Sequence, residues 1–148
     1  MIRTTGRMRL CCTLIALNLL FIWGNSCLPA SASGAISGKI SDLLAALLGA
    51  APSASQEGHH ILRKLAHFSE FALLGIWLSW LLGMLGKPMP EAFLIPVLLG
   101  LLCACCDETI QLFVDGRASS LIDVWIDTGG ALLGTLAVDS IKCKRRKP

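Results

Sequence analysis

Three polar side chains, Asp107, Glu108 and Gln111, stand at the end of an apolar run that begins at Phe93. A charged group at the centre of a bilayer costs about 2.5–3.5 kcal/mol on insertion scales, so it is rarely present without a function. Carboxylates in such a place could transfer protons, bind a cation or form hydrogen bonds with neighbouring polar groups. Which of these they do depends on the other polar groups that lie at the same depth in the membrane.

Other polar groups fall at a similar depth in two further apolar runs. At about 1.5 Å of rise per residue, six ionisable side chains lie about 3–12 Å inside the outer ends of three predicted spans: His67, Glu70, Asp107, Glu108, Asp123 and Asp127. Before Asp139, the only other Asp, Glu, His, Lys or Arg residues within these spans are Arg63, Lys64 and Glu91, close to the span ends. Three helices that agree on one depth predict a single polar layer.

The spacing also predicts that these groups face protein rather than lipid. Helical periodicity puts each set on one side of its helix: Lys64, His67 and Glu70; Asp107, Glu108 and Gln111; Asp123 and Asp127. Gly130 and Gly134 continue the last of these faces, and a small-xxx-small pair permits close approach of two helices. We therefore expect a pocket that opens to the outer surface.

The composition predicts the elements that position this layer. The chain has 148 residues, of which 54% are hydrophobic and 16% charged, with a mean hydropathy of +0.67. Long apolar blocks in such a chain indicate an integral membrane protein. The expected fold is an all-α helical bundle with four transmembrane helices, or three if the first is a cleaved signal, plus a short amphipathic surface helix.

The chain divides into four predicted segments. Residues 1–32 form a signal-anchor helix or a signal peptide, with an A-x-A-like cleavage site at residues 30–32, and we expect the helix to be retained. Residues 33–60 form an extracytoplasmic part. A predicted loop at residues 29–38 leads into it, and it contains an amphipathic helix at residues 36–48 and a second loop at residues 52–58. Residues 61–141 form the membrane domain, with spans at 61–85, 91–114 and 121–141. Residues 142–148 form a basic cytoplasmic tail.

Positive charges set the expected orientation. With a cytoplasmic N-terminus, nine of the 13 Lys and Arg residues lie inside and four lie outside: Lys39, Arg63, Lys64 and Arg117. The positive-inside rule then places both termini in the cytoplasm. The basic tail is interpreted as a topology signal, so nucleic acid is not an expected partner.

Cysteines and two further histidines are given structural roles. The seven cysteines include no C-x-x-C pair, and they are interpreted as small helix-packing residues. His59 and His60 follow a predicted loop and are expected to be solvated rather than metal ligands.

The chain contains three motifs between residues 64 and 130. They are Lys64-x-x-His67-Phe68-x-Glu70-Phe71-x-x-Leu74-Gly75, then Asp107-Glu108-x-x-Gln111-x-Phe113-x-x-Gly116-Arg117-x-x-Ser120, then Asp123-Val124 with Gly130. Together they resemble the motifs of the VanZ-like family of bacterial membrane proteins. The resemblance covers about residues 61–138. It implies a small multi-helix protein of the bacterial plasma membrane and an association with teicoplanin resistance, with no established reaction.

The chain departs from the family pattern at two positions. The family often has Asn where this chain has Asp127, and often Pro where it has Asp115. A second acid at position 127 makes the polar layer more anionic, so a cation or a proton is more readily needed there. No resident cofactor is expected otherwise, although His and carboxylate side chains could together hold a divalent cation.

Each polar residue has a predicted role. The candidate catalytic set, which could perform acid–base chemistry, is His67, Glu70, Asp107 and Glu108. The candidate substrate-binding set is Lys64, Gln111, Arg117, Asp123 and Asp127. Structural alternatives remain for several of them. Asp123 could complete a capping box with Ser120, Arg117 could pair with Glu108 or Asp123, and Lys64 could extend to the membrane interface.

Two functional hypotheses follow. In the first, the pocket engages the head group of a membrane lipid or lipid-linked cell-wall precursor, with or without catalysis. In the second, the protein is a non-catalytic assembly or binding subunit whose polar layer is structural. A transporter is less favoured because the acids line only the outer half of the spans and no inverted repeat is evident.

Overall fold

The described part of the chain is a bundle of five α-helices. The structure, a computed structural model, describes residues 2–48 and 56–146. Within those residues there is no β-strand, and the helices are α1 (Ile2–Ser26), α2 (Ala30–Leu48), α3 (Gln56–Met84), α4 (Met89–Gln111) and α5 (Leu121–Arg146). The all-α prediction is confirmed.

Four of these helices are long and apolar enough to cross a membrane. Their candidate spans contain 22–24 residues each: Thr5–Ser26, Ile61–Met84, Met89–Gln111 and Leu121–Cys143. A bilayer core requires about 20 residues of helix, so each span has the necessary length. The predicted count of four spans is confirmed, and the chain is a multi-pass membrane protein.

Two predicted loops are partly wrong. α2 begins at Ala30, although residues 29–38 were expected to be a loop. The segment is rich in Ala, a strong helix former, and single Gly residues do not end a helix in this context. α3 begins at Gln56, so His59 and His60 lie in a helix rather than a loop, while their side chains and residues 52–55 fall outside the described part.

The helix α2 is fixed to the bundle at its start and exposes an apolar stripe along its length. The Ala30 amide donates to the Asp115 carbonyl oxygen at 3.2 Å, and the helix packs against α3. Ile40, Leu43 and Leu47 are nevertheless 46%, 60% and 74% exposed. Such a stripe suits a helix that lies at the surface of a membrane.

The helix α3 is the centre of the bundle and packs against the other four. Its buried residues Phe71, Leu74 and Leu78 meet Ile22 of α1 and Ala104 of α4 in the apolar core. Because water is absent from lipid, close packing of these surfaces supplies the association energy.

Glycines allow α3 and α5 to approach closely. A Cβ atom at Gly130 would fall on the backbone of Phe68, and one at Gly134 would fall on the carbonyl oxygen of Ala72. The predicted role of the Gly130-xxx-Gly134 pair is therefore confirmed. This close crossing fixes the acidic face of α5 against α3.

A tight connection links α4 to α5. Gly116 has a φ of 72°, a conformation that side chains disfavour. A Cβ atom there would also lie 3.1 Å from Cβ of Ala30. The turn places Arg117 against the end of α1 and the start of α2.

Candidate functional site

The predicted polar layer forms one cluster near the end of the bundle where α4 leads into α5. Two of its acids are almost fully enclosed: Asp107 is 0% exposed and Asp127 is 2% exposed. A cleft with about 300 Å³ of empty space, which includes open solvent, reaches Asp127, whereas Asp107 is not among the residues that line it. Its polar lining is Arg63, Lys64, His67, Glu108, Gln111, Arg117, Asp123 and Asp127. The convergence of three helices on one site is as predicted.

Gln111 fixes one side of Asp107. Its amide donates to Oδ2 of Asp107 at 2.9 Å, as expected for residues one helical turn apart. The same amide nitrogen lies 3.3 Å from the Ser26 hydroxyl oxygen, at the end of α1. The Ser26 side chain is fully buried. The first helix therefore contributes to the cluster, which the sequence analysis did not predict.

Glu70 is held by a second residue of α1. The Asn25 amide donates to Oε1 of Glu70 at 3.1 Å. Oε2 of Glu70 lies 3.7 Å from Nδ1 of His67, the neighbour three residues earlier. In the sequence, Asn25 and Ser26 are visible as two polar residues at the end of the first apolar run. They could be assigned to the cluster only once α1 was known to pack beside α3 and α4.

Glu108 performs the capping role that was expected of Asp123. Its Oε2 accepts the Ser120 amide at 2.7 Å, at the N-terminus of α5. The Ser120 hydroxyl accepts the Ile122 amide at 3.2 Å, so Ser120 is the N-cap. In a capping box the acid at position 123 would accept the Ser120 amide, and that prediction is wrong.

Asp123 instead forms an ion pair with Lys64. Both side chains are partly enclosed, at 23% and 29% exposure. This contact links α3 to α5 in the lining of the cleft. The carboxylate on the neighbouring helix therefore holds the Lys64 ammonium group.

Arg117 contacts backbone rather than a carboxylate. Its Nε donates to the Leu28 carbonyl oxygen at 3.1 Å, and Nη2 donates to that of Asn25 at 3.0 Å. Neither Glu108 nor Asp123 forms an ion pair with it in the part of the chain that is described, so that prediction is wrong. The pKa of the Arg117 guanidinium is lowered, first by burial and then by the charge of Arg63, although Asp107 and Glu108 oppose this shift.

Arg63 was missed as a site residue. It lines the cleft together with Lys64 and Arg117, so three cationic side chains contribute to the lining. The sequence contained a usable signal, because positions 63, 67 and 70 follow the helical i, i+4, i+7 pattern. Arg63 was missed because His67 and Glu70 were grouped with Lys64, at a spacing of three residues, rather than with Arg63.

One subset of the cluster has the geometry to hold a cation. A ligand atom from each of His67, Asp107 and Asp127 lies within 4.8 Å of the other two. These residues belong to α3, α4 and α5, respectively. Thus three different helices of the bundle could each supply one ligand.

Comparison with known proteins identifies the family. A family model described as VanZ/LLP1 matches residues 13–142. No curated protein and no solved structure matched the chain. The matched range begins well before residue 61, so it includes most of α1 and all of α2, which the sequence motifs alone did not cover. By this match over most of its length, the chain belongs to the VanZ/LLP1 family.

Proposed function

We propose that this protein acts in a bacterial plasma membrane, where its cleft binds the anionic head group of a membrane lipid or lipid-linked cell-wall precursor. The cleft faces the outer surface, and both termini are cytoplasmic. Binding of such a head group contributes to resistance against teicoplanin. The buried acids of the cluster bind polar groups of the ligand or exchange protons with them.

The observation that supports this proposal is a set of three cations in one cleft at one end of the spans. Arg63, Lys64 and Arg117 all line this cleft. Two backbone carbonyls orient Arg117, and its remaining N–H groups can still donate to a phosphate. Guanidinium geometry suits bidentate contact with such an anion.

The test uses teicoplanin susceptibility of cells that express defined variants. Arg63→Ala and Arg117→Ala should make cells as sensitive as cells that lack the protein, because the head group loses its cationic contacts. Lys87→Ala is the matched control, since Lys87 is exposed at the other end of the bundle and pairs with Glu91 at 2.9 Å. Variant abundance in the membrane is measured in the same cells. Wild-type susceptibility in both cleft variants at normal abundance would exclude the proposal.

A second candidate function is also supported by the contacts of the cluster. Its hydrogen bonds and ion pair join α1, α3, α4 and α5, so the polar layer could serve only to assemble the bundle. The protein would then be a non-catalytic assembly or binding subunit. Under this hypothesis, cleft variants lose abundance together with resistance.

The Lys64–Asp123 pair separates the two hypotheses. Lys64→Asp alone leaves two acids opposed, and adding Asp123→Lys restores an ion pair between α3 and α5 with the charges exchanged. If the layer is structural, the double variant recovers both abundance and resistance. If the cleft binds a head group, the double variant recovers abundance and remains sensitive, because the cation has moved to the other wall.

A further inference from the structure

We propose that His67, Asp107 and Asp127 bind one divalent transition-metal ion at the base of the cleft. This goes beyond head-group binding, because the ion would bind whether or not the cleft takes a lipid. The three ligands are one imidazole nitrogen and two carboxylate oxygens, and each comes from a different helix. The ion would therefore join α3, α4 and α5 at their shared polar layer.

The separation of the ligand atoms suits a bound cation. All three lie within 4.8 Å of one another. A transition metal sits about 2.0–2.2 Å from nitrogen and oxygen ligands, so two ligands of one ion are at most about 4.4 Å apart. A shift of a few tenths of an ångström, within the freedom of side-chain torsions, brings the three into coordination.

One buried carboxylate oxygen of the site lacks a hydrogen-bond partner. Asp107 is fully buried, and its Oδ1 has no hydrogen-bond partner among the described residues. Its other oxygen accepts the Gln111 amide at 2.9 Å, which fixes the carboxylate plane. An unsatisfied buried carboxylate oxygen is costly, and coordination of a cation removes that cost. Gln111 is then the outer-shell residue that orients a metal ligand.

The charges also favour a divalent ion. Two of the three cations that line the cleft have other partners, since Lys64 pairs with Asp123 and Arg117 donates to backbone carbonyls. No ion pair to Asp107 or Asp127 forms within residues 2–48 and 56–146. Asp127 has the charges of Glu70, Asp107 and Glu108 around it. A divalent ion would neutralise the two carboxylates that bind it.

The donor set indicates which metals fit. Mixed imidazole and carboxylate ligands suit Mn²⁺, Co²⁺ or Zn²⁺, whereas Ca²⁺ and Mg²⁺ prefer oxygen alone. Three protein ligands leave further coordination positions open, as in catalytic rather than structural sites. Because His67 and Asp127 line the cleft, a phosphate or water could reach those positions.

The experiment measures metal uptake by the full-length protein in detergent. Chelator-treated protein is dialysed against Mn²⁺, which has little preference for thiolates, and bound metal is counted by mass spectrometry. We expect about one ion per wild-type chain. Asp107→Asn and Asp127→Asn should bind the metal at least about tenfold more weakly, since even the loss of a residue that only supports a metal ligand has an effect of that size. Asp139→Asn is the matched control, because Asp139 is an enclosed acid of α5 about three turns away, with a side chain 10% exposed.

A spectroscopic measurement on the wild type keeps the proposal testable if an Asn variant fails to fold. Co²⁺ bound by imidazole and carboxylates gives weak visible bands without the strong sulfur-to-cobalt charge-transfer band of a cysteine site. Absence of metal uptake by the wild type would overturn the proposal. A strong sulfur-to-cobalt charge-transfer band would also overturn it. Equal metal uptake by the wild type, Asp107→Asn and Asp127→Asn would have the same meaning.

Discussion

Glu108 occupies the N-terminus of α5, and its carboxylate has a specific structural task there. It is 5% exposed and accepts the Ser120 amide at 2.7 Å. Glu108→Gln keeps the size of the side chain but removes the negative charge from the positive end of a helix. We expect the free energy of unfolding to fall by about 1–2 kcal/mol, as for a lost charge-assisted hydrogen bond. Unfolding in a mixed-detergent titration measures the change.

Glu91→Gln is the control for that substitution. Glu91 also lies near a helix N-terminus, but its side chain is 47% exposed and pairs with Lys87 in solvent-accessible surroundings. An exposed pair of this kind contributes about 0.2–1 kcal/mol, so the control should change little. If Glu108→Gln and Glu91→Gln lower the free energy of unfolding equally, burial of Glu108 does not strengthen its hydrogen bond with the Ser120 amide.

Residue types predicted the cluster better than they predicted its contacts. The helical spacing of His67, Glu70, Asp107 and Asp127 was enough to place them on facing surfaces, because periodicity determines which side of a helix a residue occupies. The partners Asn25 and Ser26 were not predicted. They come from a helix whose position beside α3 and α4 depends on apolar packing over its whole length.

At the scale of the helices, the crossing of α3 and α5 depends on glycine. We expect Gly134→Ala to lower the free energy of unfolding by about 1–3 kcal/mol or more, because the added methyl group falls on the Ala72 carbonyl oxygen and forces the helices apart. Gly24→Ala is the control. Gly24 lies in α1 with no neighbour within 4 Å of an added Cβ, so the change should be neutral or stabilising. A Gly134→Ala protein as stable as wild type would contradict the observed crossing.

The sequence predicted the long helices more accurately than the short one. Spans at residues 61–85, 91–114 and 121–141 correspond to α3, α4 and α5, because a lipid environment requires long apolar segments with every backbone group bonded internally. The start of α2 was misplaced since the Ser, Ala and Gly residues before Ile36 are equally common in loops. Its contact with the carbonyl of Asp115, distant in the chain, helps to fix that start.

The whole molecule has the surface of a protein that crosses a bilayer. Exposed apolar side chains cover its flanks, including Leu20 at 68% and Leu102 at 58% exposure. Trp80 and Trp125 are 45% and 70% exposed and lie near opposite ends of the bundle, on α3 and α5 respectively. Tryptophan favours the two interfaces of a membrane, so these residues mark its boundaries. The polar cleft then lies near one boundary.

Two native cysteines can test both the orientation and the retention of α1. Cys27, just after α1, and Cys143, near the end of α5, are exposed at opposite ends of the bundle. In chains with a single cysteine, a membrane-impermeant maleimide should label Cys27 in intact cells and Cys143 only after permeabilisation. The Cys27 label should appear on protein of full-length mass, because Asn25 and Ser26 belong to the polar cluster and α1 must remain to supply them.

Each opposite outcome of this labelling experiment has a distinct meaning. Label on Cys143 in intact cells would reverse the orientation and place the cleft in the cytoplasm, where a lipid-linked precursor outside the membrane could not reach it. An accumulated chain that begins near Ser33 would carry no Cys27. It would also leave Glu70 without Asn25 and Gln111 without Ser26, so a stable cleaved form would show that α1 is dispensable for the cluster. We expect neither outcome, since the matched family range begins at residue 13 and Ile22 is fully buried against α3 and α4.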